Sequence, residues 1–217
     1  MKTVSRFLLS LLFYCLAGVG ISLTIIAGIG VSSFNALNIS LSHALHMQVG
    51  VVITGLNGLF LLAYCLLSKG RYPIKYIVQA VAVICFGKVI DYFTYTVFAQ
   101  WIVTGYAWKL LLFAGGTCLA GLSTGMVLNL DVIAFPIESV CSVAAERTRL
   151  SFAVIRYGVD IISAAGSVLL SVLLGLPLFV REGTGISLLL LTVSISLAKK
   201  LYEKQQSQSL RNLPVER

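Results

Sequence analysis

Residues 7–30 read FLLSLLFYCLAGVGISLTIIAGIG, a run without a single charged side chain. A hydrocarbon core about 30 Å thick is crossed by about 20 residues of helix, so this stretch is long enough to span it. Lys2 and Arg6 in front of it imitate the basic start of a signal peptide. The run is too long for a signal's apolar region, however, and no polar mature sequence follows. It therefore reads as a first membrane span. The same reading recurs at residues 49–67, 76–98, 109–128, 151–174 and 185–197 with its apolar flanks, giving six predicted spans.

Composition agrees. Of 217 residues, 58% are hydrophobic and 11% charged, where soluble domains run to about half and a quarter. That leaves too little solvated surface for a soluble enzyme or a nucleic-acid module, and the predicted fold class is all-α, a polytopic membrane protein. The net charge of +8 fits basic residues gathered in cytoplasmic loops. Lys2 and Arg6, then Lys69, Arg71 and Lys75, then Arg147 and Arg149, and finally Lys199, Lys200, Lys204, Arg211 and Arg217 fall on one side. Only Lys109 and Arg181 fall on the other, which predicts six spans with both termini in the cytoplasm. Cys15, Cys65, Cys85, Cys118 and Cys141 lie in apolar or membrane-embedded sequence with no C-x-x-C; they read as small hydrophobes, not a disulfide framework or zinc site.

Two connections are too apolar for ordinary loops and too short to cross: residues 31–48 (VSSFNALNISLSHALHMQ) and 129–146 (NLDVIAFPIESVCSVAAE). They read as amphipathic or re-entrant segments after the first and fourth spans, a backbone arrangement tolerated in a bilayer only when packed in protein or lining a wet cavity. Shifting the chain by 103 residues lays Cys15-Leu16-Ala17-Gly18 on Cys118-Leu119-Ala120-Gly121 and Leu66-Leu67-Ser68 on Leu169-Leu170-Ser171. The same shift pairs Gly55 with Gly158, Asn57 with Asp160 and Asn35 with Glu138, and superposes the two odd connections. Chance in a Leu/Ala/Gly-rich chain is the competing explanation; a shared offset across separate segments argues against it. The prediction is one membrane domain over residues 1–217, with repeat 1 at about 7–98, repeat 2 at about 109–200, and a polar cytoplasmic tail at 201–217. Three spans per repeat is an odd number, so the second repeat runs inverted. Inverted repeats with broken or re-entrant segments at the midplane are a common transporter plan.

Ionised groups in hydrocarbon cost about 2.5–3.5 kcal/mol on insertion scales and normally face the protein interior in pairs. Lys88 and Asp91 lie i,i+3 in the third span, Arg156 and Asp160 i,i+4 in the fifth, spacings that allow intrahelical pairing. With Asn57 they form the candidate substrate- or ion-binding set, in which an aspartate could titrate or hold a cation and a basic group meet an anion. Two self-neutralising pairs that merely lock packing are the alternative. Asn35, Asp131 and Glu138, in the two special connections, are candidate gate groups; simple hydration is the plainer account of the two acids. His43 and His46 lack a third ligand, so no metal and no cofactor is expected. Tyr92, Tyr95, Trp101, Tyr106 and Trp108 suit an interfacial aromatic belt. No Ser-His-Asp set, P-loop or HExxH is present, and an enzyme is not expected.

The segments GIGVSSFNALNISL and DVIAFPIESV, the Arg156-x-x-x-Asp160 spacing and Gly183-Thr184-Gly185 resemble the YczE/YitT group of small bacterial integral membrane proteins, across most of residues 7–197. Arg181-Glu182 departs from the glycine-rich turn of that pattern. The resemblance implies a bacterial inner-membrane location and says little of substrate. The expected function is transporter-like, binding or moving a small polar solute between the repeats. Two rivals stand beside it: an accessory protein docking a cytoplasmic partner, and the substrate-binding subunit of an energy-coupling-factor importer, which the inverted repeat counts against. Expected partners are the lipid bilayer, a small solute, and a second copy of the chain or a cytoplasmic protein; nucleic acid is not among them.

Overall fold

The computed structural model describes the backbone of residues 3–211. Within them, helix α1 (Thr3–Ala27) is followed by the short α2 (Ser33–Leu45), then α3 (Val49–Leu67) and α4 (Pro73–Tyr92), which runs into a π-helical turn at Phe93–Val97. The second half has α5 (Tyr106–Leu130), the short α6 (Pro136–Arg147), α7 (Phe152–Leu174) and α8 (Glu182–Arg211). The chain is an all-α, multi-pass membrane protein: six helices are long and apolar enough to cross a bilayer, namely α1, α3, α4 with its π turn, α5, α7 and α8. Of the tail expected at residues 201–217, α8 carries the backbone to Arg211; residues 212–217, Met1 and Lys2 lie outside the described residues.

The helix boundaries repeat at the offset read from the sequence. Both ends of α1 map onto both ends of α5 under a shift of 103, and the starts of α2 and α3 map onto those of α6 and α7. The chain breaks α1 and α5 in the same way. Gly28 ends α1 with φ +65° and its equivalent Asp131 ends α5 with φ +49°, both in the left-handed region that closes a helix. Asp131, a candidate gate by sequence, is thus an exposed C-cap outside the cavity described below.

Packing follows the repeat as well. The halves meet at a crossing of α1 on α5, so close that a Cβ on Gly20 would lie 2.6 Å from the Gly116 carbonyl oxygen. Exchanging the halves turns the α1–α4 contact into α5–α8, α2–α7 into α6–α3, and α2–α3 into α6–α7; every one of these pairs is packed. Gly18 faces Phe86, Val89 and Ile90 of α4, and its equivalent Gly121 faces Leu191 and Ser194 of α8. Each extended segment after a broken helix is tied to the other half's neighbour. Gln79 Nε2 of α4 donates to the Ala134 carbonyl (3.2 Å) and to Ser139 Oγ (3.1 Å), while Thr184 Oγ1 of α8 donates to the Val31 carbonyl (2.7 Å) and Gly183 N to that of Ile29 (2.9 Å).

One pair breaks the pattern. α3 packs on α4, but α7 and α8 do not form the corresponding packed pair among the described residues. The cause is local. Gly50 of α3 lies so close to α4 that an added Cβ would overlap the Gly87 carbonyl oxygen. Asp91 Oδ1 accepts the Gly50 N–H (2.6 Å) and the Tyr95 hydroxyl accepts that of Val49 (3.3 Å), so α4 caps the start of α3. At the start of α7, Ala153 stands where Gly50 does, Ser151 Oγ supplies the cap from α7's own chain by accepting the Val154 N–H (3.4 Å), and α8 has no glycine beyond Gly185. Without the glycine contact and the carboxylate tether, the two helices stay apart.

Candidate functional site

The gap between α7 and α8 leads into a cavity of about 360 Å³ in the middle of the bundle, within the size range of small-molecule sites. Its walls obey the repeat. Ala17 and Ala120, Ile21 and Thr124, Ser32 and Phe135, and Phe34 and Ile137 are lining pairs related by the 103-residue shift. So are Asn35 and Glu138, Ile53 and Arg156, and Asn57 and Asp160. The cavity therefore lies between residues of both halves, and exchange of the halves maps these seven wall positions onto one another but preserves neither its charge nor its opening between α7 and α8. Repeat 1 contributes Asn35, Ile53 and Asn57; repeat 2 contributes Glu138, Arg156 and Asp160 at the matching places.

Two short helices start at this cavity. Ser32, Ser33, Phe34 and Asn35 bring in the N-terminus of α2, and Phe135, Ile137 and Glu138 that of α6. Neither has a side-chain cap on its N-cap residue, and both bring first-turn N–H groups and the positive end of a helix dipole to the same space, the Glu138 N–H donating to that residue's own carboxylate. Glu138, in the first turn of α6, sits where an acid is stabilised by that helix end.

The three ionisable groups are unequally matched. Arg156 Nη1 lies 2.7 Å from Asp160 Oδ1 along α7, and Arg156 Nε lies 3.8 Å from Glu138 Oε1. Glu138 Oε2 is buried with no hydrogen-bond partner. Burial pushes the Glu138 carboxyl above its ordinary range, partly offset by the guanidinium of Arg156. Behind them Tyr14 stacks on Phe135 at 4.2 Å and meets Phe86 edge-on at 5.0 Å, closing the floor with aromatic rings. Asn57 donates through Nδ2 to the Ile53 carbonyl (2.9 Å).

Of the eight sequence candidates, Asn35, Asn57, Glu138, Arg156 and Asp160 come together here, while Asp131, Asp91 and Lys88 do not. Asp91 is the cap on α3. Lys88 is exposed, on an outward stripe with Ile77, Val81, Ile84 and Tyr92, from which its long side chain can reach the interface. The i,i+3 pairing expected for Lys88 and Asp91 is absent from the ion pairs among the described residues, because Asp91 turns inward to the α3 N-terminus. His46 is the left-handed C-cap of α2 and His43 stacks on Phe179 at 5.1 Å. Among the described residues no cluster of three or more His, Cys, Asp or Glu side chains could hold a metal. Sequence reasoning missed Ile53, Phe135 and Tyr157 as wall residues. The repeat carried a signal for the first, since Ile53 is the equivalent of Arg156.

A model of a family of unknown function, DUF6198, matches residues 4–200. No curated protein and no solved structure matches the chain.

Proposed function

We propose the following function for this chain, which belongs to the DUF6198 family: it is a transporter-like protein of the bacterial inner membrane, with cytoplasmic termini, that binds or moves a small polar solute in the cavity between its repeats. The observation that carries the reading is the seam itself: seven repeat-related pairs line one cavity, and charge is confined to one side of it. Were the charges there only to hold helices together, they would sit at packed contacts, as Asp91 does at the α3–α4 crossing. Arg156, Asp160 and Glu138 instead line the cavity, each partly exposed, and two helix N-termini converge on the same place, as in transporters that bind solutes at broken helices. The positive-inside distribution of Lys and Arg supports the orientation.

The test is a thermal-shift screen of small cations, anions and zwitterions on detergent-purified protein, followed by uptake of any hit into proteoliposomes. Ala153→Trp, at the exposed mouth of the cavity, should abolish both the stabilisation and the uptake while leaving the apo protein folded. Undiminished binding or uptake in that variant removes the cavity from the function.

A further inference from the structure

We propose that the solute is an organic cation with an apolar body, and that its charged group takes its place beside Glu138 in exchange for a proton. This rests on the reading of the cavity as the solute site and narrows the solute's chemical class.

The charge count gives the sign. One guanidinium faces two carboxylates, and the distances show how it is shared: Arg156 is 2.7 Å from Asp160 but 3.8 Å from Glu138. Attraction at 3.8 Å is still about seven-tenths of that at 2.7 Å, so the three groups form one cluster of net charge −1 in which Asp160 holds the closer share of the guanidinium. Glu138 holds the more distant share. Its Oε2 has no partner, and in a cluster with one carboxylate in excess a buried oxygen without one is stabilised most by a proton or by a cationic group from outside. An anionic solute meets two carboxylates against one guanidinium, a net charge of −1: Arg156 Nη1 is buried without a hydrogen-bond partner, but it lies 2.7 Å from Asp160 Oδ1.

The walls give the rest of the molecule. Phe34, Phe86, Phe135, Phe152 and Tyr157 line the space, and aromatic faces favour both apolar bodies and alkylammonium groups. The α2 N-terminus at Ser33 and Asn35 remains as a donor for a hydroxyl or carbonyl on the solute. The mouth is formed by exposed Phe152 and Tyr157 of α7 and Leu188 and Thr192 of α8. Along helices that cross a bilayer this surface meets lipid, the medium in which an amphipathic cation concentrates.

The proton side has a defined set of neighbours. Glu138 is faced by Arg156 and Asp160 from α7 and by Tyr14 from α1, with Cys141 on its own helix; α3, which packs on α6, has no charged residue. Burial raises the affinity of Glu138 for a proton, which makes proton and cation exclusive occupants of one carboxylate.

Isothermal titration of the full chain in mild detergent tests this, with benzyltrimethylammonium, tetramethylammonium and benzenesulfonate as probes between pH 5 and 8. Benzyltrimethylammonium should bind, with a Kd that rises up to tenfold per unit as pH falls through the Glu138 titration and is flat above it. Tetramethylammonium should bind at least tenfold more weakly, and benzenesulfonate not at all. Glu138→Gln should weaken the cation at least tenfold at pH 8 and remove the pH dependence, whereas Glu138→Asp should keep both within a few-fold. Should the Gln variant fail to fold, the wild-type pH profile and the Asp variant decide. Preference for the sulfonate, equal affinity for the two ammonium ions, or a pH-independent Kd would overturn the cation assignment while leaving a solute-binding cavity in place. Absence of binding by all three probes would also overturn it, and the wider screen blocked by Ala153→Trp then decides separately whether the cavity is a solute site.

Discussion

Removing Arg156 should hurt this protein more than removing Asp160, and removing both should hurt less than their sum. Arg156 lies 2.7 Å from Asp160 and 3.8 Å from Glu138, with side chains 26%, 17% and 18% exposed. Two unit charges about 4 Å apart at an effective dielectric of 20 attract by about 4 kcal/mol before desolvation. Breaking a fully buried pair costs about 3–5 kcal/mol; the partial exposure here places Arg156→Met at about 2–3 kcal/mol, because two carboxylates then face an apolar cavity with no cation. Asp160→Asn leaves Arg156 with Glu138 within reach and should cost about 1.5 kcal/mol, the low end for one lost hydrogen bond to a charged group. In the double variant the uncompensated Asp160 charge is gone, so most of the Arg156→Met loss returns, a coupling of about 1–2 kcal/mol. Unfolding by sodium dodecyl sulfate in mixed micelles, followed by helical circular dichroism, measures all three. If the effects add to within about 0.5 kcal/mol, or if Asp160→Asn is the more damaging change, the assignment of Arg156 to Asp160 is wrong.

Three further outcomes follow from the packing and the charges. Gly50→Ala should destabilise by about 3 kcal/mol in the same assay, because its Cβ overlaps the Gly87 carbonyl oxygen and lies 2.6 Å from Asp91 Cγ, combining overpacking with damage to a charge-assisted hydrogen bond. Gly55→Ala on the same helix meets nothing within 4 Å and should be neutral or stabilising by up to about 1 kcal/mol. Asp131→Gly, at φ +49°, should raise stability by about 0.5–1 kcal/mol, and Gly28→Asp should lower it by a similar amount, since the two positions make the same left-handed cap. Finally, Glu138 has a raised folded-state pKa, so the folded protein holds a proton that the unfolded chain has released. Stability should therefore fall as pH rises from the ordinary glutamate range through that raised value, with no contribution below both. Melting curves across that window should show the slope in wild type and its absence in Glu138→Gln.

The six spans and the two short special segments were legible in the chain, because a bilayer punishes any unsatisfied backbone and leaves helix length and hydropathy as plain marks; the 103-residue offset recurs in the helix boundaries. Asn35, Asn57, Glu138, Arg156 and Asp160 stood out for the same reason: polar groups in an apolar background have few places to go. What the linear reading could not decide was direction. Lys88 and Asp91 share a helix and a spacing much like that of Arg156 and Asp160, yet one pair splits into an outward lysine and a helix cap while the other faces a cavity. That outcome depends on which neighbour each helix meets. Gly50 lets α4 come close enough for Asp91 to cap α3, and Ala153 at the equivalent place gives α8 no such seat. Periodicity and composition determined the architecture. Only the tertiary contacts decided that one half closes and the other stays open, because Ala153, Leu190 and Ser194 in place of Gly50, Gly87 and Asp91 have no effect until two helices try to touch.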